Sequence, residues 1–457
     1  MVASLRAGER DLQHINSRTT AKAPIAFLAV AWLLGGLIFG VSSRPIFGEL
    51  CTIDQVPAAT LLIPYFAVDI SESACANSGT GRDTLITVNN ADAAPVLAHV
   101  AIWSDWSIPV LSFEIYLTGY DVQVISLHEI LCQGELPSTG LAVSPFGDIS
   151  DGGIQIFNCN TSAAPGVAPV YPSNSVPPIF RAHLQAWLTG QESPITEDCA
   201  GSGREGDELA IGYVTVDVAE RCGLITPNEA TFWQGSVSTA DQTAGFDNVL
   251  WGDYILLDPT DSAQFLPAVA IEAFNDGRFD DRTTFYGRYV DSSGIDAREP
   301  LPTAFATRFA AADSLFDGSE LIVWREGNAD AEPLECGQRP AWHPLGTTRV
   351  VAYDDEENVI FAGNTSGDPG ALSFPNETQS VDVGDALLAF AETGWIYLDL
   401  SNPLAHQPGE RPGQAWVVQR WREPGRYGAG WDATALSSVC APGPPTPPPP
   451  PPPPPPP

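Results

Sequence analysis

The sequence predicts a mainly β protein, built as antiparallel β-sandwich domains with one or two short helices and stapled by disulfides. Three observations carry this. Apolar and polar residues alternate with period two over many short runs, the pattern of half-buried strands. Clusters of turn-forming residues separate those runs at sandwich-like spacing. Eight cysteines (Cys51, Cys75, Cys132, Cys159, Cys199, Cys222, Cys336 and Cys440) all follow a basic and then apolar leader. That is the placement of thiols that oxidise in pairs after export.

Taken in order, the strand signals begin at Leu61–Val68 and Thr84–Asn89. Val96–Trp103 is apolar on both faces, as a central strand would be, and includes His99, which reads as a core histidine with a local partner. Leu111, Phe113, Ile115 and Leu117 then alternate with Ser112, Glu114 and Tyr116. Ser104–Pro109 joins these two runs as a hairpin loop, with Trp106 the better candidate for an exposed aromatic contact. With Asp121–Leu127 they compose a first domain over 51–160. Residues 161–178 are rich in Pro, Ala and Ser and read as a linker.

A second β-rich region, 179–440, follows. Phe180, Leu184, Trp187 and Leu188 fall on one helical face over Ile179–Thr189, and Gly190 is a natural stop. Further strands are expected at Leu209–Val218, Val249–Leu257, Ala268–Phe274, Thr283–Tyr289 and Glu320–Arg325, and again at Arg349–Tyr353, Trp395–Leu400 and Ala415–Trp421. Phe305 and Phe309, one helical turn apart, predict a short helix over Thr303–Ala311. A weak boundary near Gly327–Pro340 divides the region in two.

The leader sets the compartment. Arg6, Arg10, Arg18 and Lys22 precede the apolar run Ile25–Val41, the order of an export signal. Val41-Ser42-Ser43 offers small residues for cleavage, so 1–43 reads as a signal peptide, with an uncleaved N-terminal anchor as the alternative. The expected location is extracellular, cell-surface or periplasmic. At the other end, 441–457 closes in eleven consecutive prolines, Pro447–Pro457. Proline fixes φ and lacks an amide donor, so the run is polyproline II, a stiff spacer of roughly 34 Å. Membrane contact is expected only through the leader or through an anchor following the prolines.

The chain carries 56 acidic against 21 basic residues, a net charge of −35. Such a field repels nucleic acid and anionic lipid. The single lysine, Lys22, lies in the leader, which removes P-loop, Schiff-base and Ser–Lys chemistry from the body. Gly201-Ser202-Gly203-Arg204-Glu205-Gly206 matches a dinucleotide motif by letter, but a helix precedes it and a strand follows, the reverse of the required order. No HExxH, GxSxG or CxxC pattern is present.

Short loops close at the lowest entropic cost, which favours the pairings Cys132–Cys159 and Cys199–Cys222. The site-like features are acidic. Asp276, Asp280 and Asp281 lie in a Gly-containing, oxygen-rich stretch. Asp354 and Asp355 open an acidic hairpin tip. Both clusters are candidate calcium ligands, though neither has EF-hand spacing; calcium is the one cofactor candidate, and no catalytic residue is assigned. Sequons occur at Asn160, Asn364 and Asn376.

The phrases Leu61–Phe66, Thr84–Asn90, Pro95–Trp106, Tyr116–Gln123 and Asn248–Tyr254 resemble those of exported bacterial proteins with β-sandwich-like modules. The resemblance implies a surface or secreted setting and no particular activity. The expectation is a non-enzymatic structural or binding protein with a surface or extracellular ligand. Its alternatives are a polysaccharide hydrolase using two carboxylates and a calcium-dependent adhesive module.

Overall fold

The computed structural model describes residues 56–137 and 175–437, apart from 204–205, 221–224, 234–242, 260–262, 275–283, 291–293, 311–317, 328–331, 347–348, 364–371, 384–390, 402–412 and 424–426. The described chain is mainly β. Strands β1 (Thr60–Asp69), β2 (Asp83–Asn90), β3 (Val96–Ser104), β4 (Pro109–Leu117) and β5 (Val122–Ser126) come first. The helix Pro178–Leu188 leads to β6 (Leu209–Ala219), β7 (Leu250–Leu257), β8 (Gln264–Pro267) and β9 (Val269–Ile271). Then come β10 (Ala304–Ala310), β11 (Ser319–Arg325), β12 (Arg349–Asp354), β13 (Val359–Gly363) and β14 (Thr378–Asp382). Last are β15 (Thr393–Asp399), β16 (Ala415–Glu423), β17 (Tyr427–Asp432) and β18 (Thr434–Ala435).

These strands form antiparallel sheets ordered β4-β3-β6-β1-β9, β5-β2-β7-β8, β14-β11-β16-β17 and β13-β12-β15-β10-β18. The first is the middle layer. On one side β1 packs against β2 and β7, and on the other against β11 and β14. Burial on both faces explains why β1 reads as a continuous apolar run rather than an alternation, with every residue from Thr60 to Val68 buried.

Pro64 is the exception that a central strand must accommodate, because it has no amide to donate. The pairing of β1 with β6 slips between Ile63 and Phe66, so Pro64 sits in a bulge, and its carbonyl accepts from the Thr378 hydroxyl at 2.5 Å. Gly212 lies opposite. A Cβ there would fall on the Trp103 carbonyl oxygen and within 3 Å of the Phe66 ring. Gly212→Ala is therefore expected to cost about 1–3 kcal/mol through overpacking, read as a lower urea midpoint at unchanged slope.

The strands at Leu61, Thr84, Val96, Leu111 and Asp121 form as the alternation predicts, and the helix ends at Gly190, whose φ of +67° suits glycine. Other expectations change. The helix expected over Thr303–Ala311 is replaced by strand β10, Ala304–Ala310. Residues four apart share a face in both structures, and it is pairing with β15 that decides. Within Thr283–Tyr289, Phe285–Arg288 is a 3₁₀ turn rather than a strand, capped by the Thr284 hydroxyl accepting from the Tyr286 amide. The boundary placed at 161–178 does not separate sheets: β6 inserts between β3 and β1, and one hydrophobic core joins Leu61 and Trp103 with Phe285, Trp324 and Trp416.

The favoured disulfide pairings are also replaced. Cys132 bonds Cys75, not Cys159, and Cys199 bonds Cys336, not Cys222. Loop length misleads because the tertiary fold, not sequence separation, sets which cysteines meet. The paired backbones of Cys199 and Leu334 exchange hydrogen bonds at 2.8 and 2.9 Å, which places Cys336 beside Cys199. Cys51, Cys159, Cys222 and Cys440 lie outside the described residues. Disulfides of this kind form in a non-reducing compartment. No described helix is long and apolar enough to cross a membrane.

Candidate functional site

The chemistry-bearing side chains gather in two buried groups. The first runs across the middle sheet. Register places Glu114 on β4 opposite His99 on β3, His99 opposite Asp217 on β6, and Asp217 opposite Thr60 on β1. Glu114 Oε1 lies 2.8 Å from His99 Nδ1. Asp217 accepts from the Thr60 hydroxyl at 2.6 Å and from the Tyr286 hydroxyl at 2.7 Å. Arg298 Nη2 lies 3.6 Å from the same carboxylate and donates to the Gly245 carbonyl at 3.1 Å. Its guanidinium sits 4.9 Å from the Trp233 ring centre.

The second group forms under the β3–β4 turn. Ser107 holds φ at +59°, a left-handed conformation uncommon outside glycine. This aims its hydroxyl inward, 2.5 Å from the Tyr213 hydroxyl and in donating contact with Glu377. Arg288 donates to both Glu377 carboxylate oxygens, at 2.6 and 3.1 Å, and to Ser107 Oγ at 3.2 Å. Trp106, expected at the surface, is buried, and packs edge-on to His343 at 6.5 Å. Asn376 is buried too and donates to Asp105, so this sequon is closed to glycosylation in the folded protein.

These constellations resemble catalytic ones in residue type, but none of Ser107, Asp217, His99, Arg298 and Glu377 reaches solvent. Sequence reasoning found His99 and missed the rest. Their partners lie as far as 270 residues away. The one local signal is a charged residue in the middle of an apolar strand, as at Asp217 in Leu209–Ala219 and Glu114 in Pro109–Leu117.

Burial sets the electrostatics. It lifts the carboxyl of Asp217 above the usual range against the pull of Arg298, while at Glu377 the same burial is opposed by the bidentate Arg288. It likewise lifts Asp83, Glu220 and Asp432. For His99 burial works downward, but the Glu114 charge outweighs it and the imidazole moves up. A group raised in the folded state stabilises fully below its unfolded value and loses that contribution as pH rises through its folded value. His183 and His343, lowered chiefly by burial, oppose this. For Asp83, Glu220 and Asp432 that loss begins in the ordinary carboxylate range, so the urea midpoint is expected to fall as pH rises from about 4 toward neutrality; a steady rise over that interval contradicts the assignment.

Accessible hollows among the described residues lie elsewhere. The outer face of β5-β2-β7-β8 carries Val122 and Val124 at 58% and 50% exposure and Trp251 and Phe265 at 48% and 69%. Where β8 leaves β7, Trp251 and Phe265 join Val56, Pro57, Pro267 and Ala270 around a groove of about 340 Å³. One carboxylate, Asp253, lies in it and accepts from the Thr87 hydroxyl at 2.6 Å. A separate hollow holds Asp69, Asp207, Glu208 and Asp258 with Arg82, and has no aromatic wall. Arg82 is paired to Asp258 at 2.7 Å.

Of the calcium candidates, Asp276, Asp280 and Asp281 lie outside the described residues. Asp354 and Asp355 stand at the tip of the β12–β13 hairpin, where Asp354 accepts from the Asn358 side chain and from the amides of Glu356 and Asn358. Those bonds hold its carboxyl below the usual range. Asp355 accepts from the Thr393 hydroxyl. These oxygens face their own hairpin and neighbouring strand, and among the described residues no group of three His, Cys, Asp or Glu is placed to hold a metal.

No protein-family model matches this chain, and no curated protein is similar to it. The functional reading therefore rests on the geometry above.

Proposed function

We infer that this is an exported, non-enzymatic binding or structural protein of the cell surface, periplasm or extracellular space, and that the groove at Trp251 and Phe265 is its contact surface. The observation that carries the reading is a separation. The Ser107–Glu377 and His99–Asp217 networks are sealed in the core, while the groove at Trp251 and Phe265 is accessible, apolar and aromatic. Buried ionic networks fix a fold; an open aromatic rim contributes contact area at little entropic cost. The acidic surface disfavours nucleic acid and anionic lipid as partners.

A polysaccharide hydrolase needs paired carboxylates about 5–10 Å apart beside the sugar-stacking surface. Here the aromatic groove has a single carboxylate and the acidic hollow has no aromatic residue. A third hollow, which sets Tyr65 beside Asp83, Asp258 and Glu320, holds only about 20 Å³ and has Asp258 and Glu320 tied to Arg82 and Arg420. Incubation with soluble glucans, xylans and pectins is expected to release no reducing ends. Release that disappears in Asp253→Asn would overturn the reading. Calcium at micromolar concentration is expected to leave the melting temperature where matched ionic strength leaves it, whereas a site-specific rise would favour the adhesive module.

A further inference from the structure

We propose that the Trp251–Phe265 groove is the docking site of the chain's own proline run, Pro447–Pro457. The inference rests on the reading of that groove as a contact surface, and it names the occupant. Three observations converge on it.

The first is chemistry. Polyproline II has no amide donors to satisfy and is recognised by grooves lined with aromatic residues. This groove pairs Trp251 and Phe265 with Pro57 and Pro267. Phe265 opposes Ile255 in the β7–β8 register, four positions along from Trp251 on the same face. That offset is about 14 Å along a strand, the rise of four to five polyproline residues at ~3.1 Å each.

The second is charge. In a chain of net charge −35 a neutral, apolar segment approaches without repulsion, and the proline run is the longest uncharged segment of one residue type in the sequence. The third is reach. β17 packs on β8: a Cβ on Gly430 would lie 2.6 Å from Leu266, the neighbour of Phe265. β17 thus lies against the inner side of β8, and the chain then pairs with β10, where Ser437, its last described residue, accepts from the Thr303 amide at 2.9 Å. The run begins ten residues later, a stretch that spans up to about 33 Å when extended.

Tethering of this kind gives an effective concentration on the order of millimolar, so the run competes with any free ligand of modest affinity. The test uses the full chain and a variant in which Pro447–Pro457 is replaced by an equal length of alternating Gly and Ser. Labelled undecaproline is titrated into each and followed by anisotropy. The Gly/Ser variant is expected to bind the peptide, and the native chain at least tenfold more weakly because its groove is occupied. Trp251→Ala and Phe265→Ala in the Gly/Ser background should each weaken binding at least tenfold.

Equal binding by the two chains, or binding indifferent to Trp251 and Phe265, overturns the proposal. If undecaproline fails to bind while anilinonaphthalene sulfonate binds in a Trp251-dependent way, the proline assignment falls and the contact surface stands. If neither binds, both fall. Trp251-dependent dimerisation of the Gly/Ser variant would assign the groove to a second copy of the chain and overturn the proposal.

Discussion

Glu377→Gln is expected to lower the free energy of unfolding by about 3–5 kcal/mol, a large share of the roughly 5–15 kcal/mol that holds a typical domain. Glu377 is fully buried and receives both terminal nitrogens of Arg288. Burial opposes the charge on Arg288, but the Glu377 carboxylate outweighs it and keeps the guanidinium ionised. Neutralising Glu377 leaves that cation in the core with Ser107 and ring faces for company. The cost is mostly the stranded charge rather than the lost bonds, so replacing both partners by apolar residues should recover much of it. Urea unfolding of Glu377→Gln, Arg288→Met and the Arg288→Met/Glu377→Leu pair separates the two contributions. A single-variant cost below about 1 kcal/mol would show that the network is not the clamp described here.

Loss of the disulfides should be of similar size. Cys199–Cys336 closes a separation of 137 residues and Cys75–Cys132 one of 57. Loop-closure entropy assigns them about 5 and about 4 kcal/mol, and measured losses for native bridges run at about 2–5 kcal/mol each. The first fastens the segment entering β6 to the connection between β11 and β12. The second ties the short helix Glu72–Ala76, which follows β1, to the turn Glu129–Gln133, which follows β5. Double alanine variants of each pair should show separate, additive falls in the urea midpoint, since the two bridges share no partner. With both removed, little of a typical domain's stability remains.

The fold class was legible in the sequence because period-two alternation is a local property. Pro109–Leu117 declares its two faces without reference to anything else in the chain. The short helix was legible for the same reason, through the placement of Leu184 and Trp187. The misreadings lie where local pattern is degenerate. Phe305 and Phe309 satisfy a strand and a helix equally. Phe285 and Tyr286 look like strand residues, but they are rings buried against Trp324 and Trp233 in a 3₁₀ turn. Disulfide pairing was illegible because it depends on topology: β6 had to be placed between β3 and β1 before the distances between cysteines meant anything. The groove was hidden likewise. Trp251 and Phe265 are ordinary strand aromatics in the sequence, and their exposure follows only from β8 being a short edge strand.

The central claim is that this acidic β fold is completed and locked outside a reducing compartment. Non-reducing peptide mapping tests it directly, on protein taken from its native source with thiols alkylated at lysis. Cross-linked peptides joining Cys75 to Cys132 and Cys199 to Cys336 are expected, with those four cysteines free of alkylation. Quantitative alkylation of the four would contradict the compartment, and bridges to Cys159 and Cys222 in their place would contradict the topology.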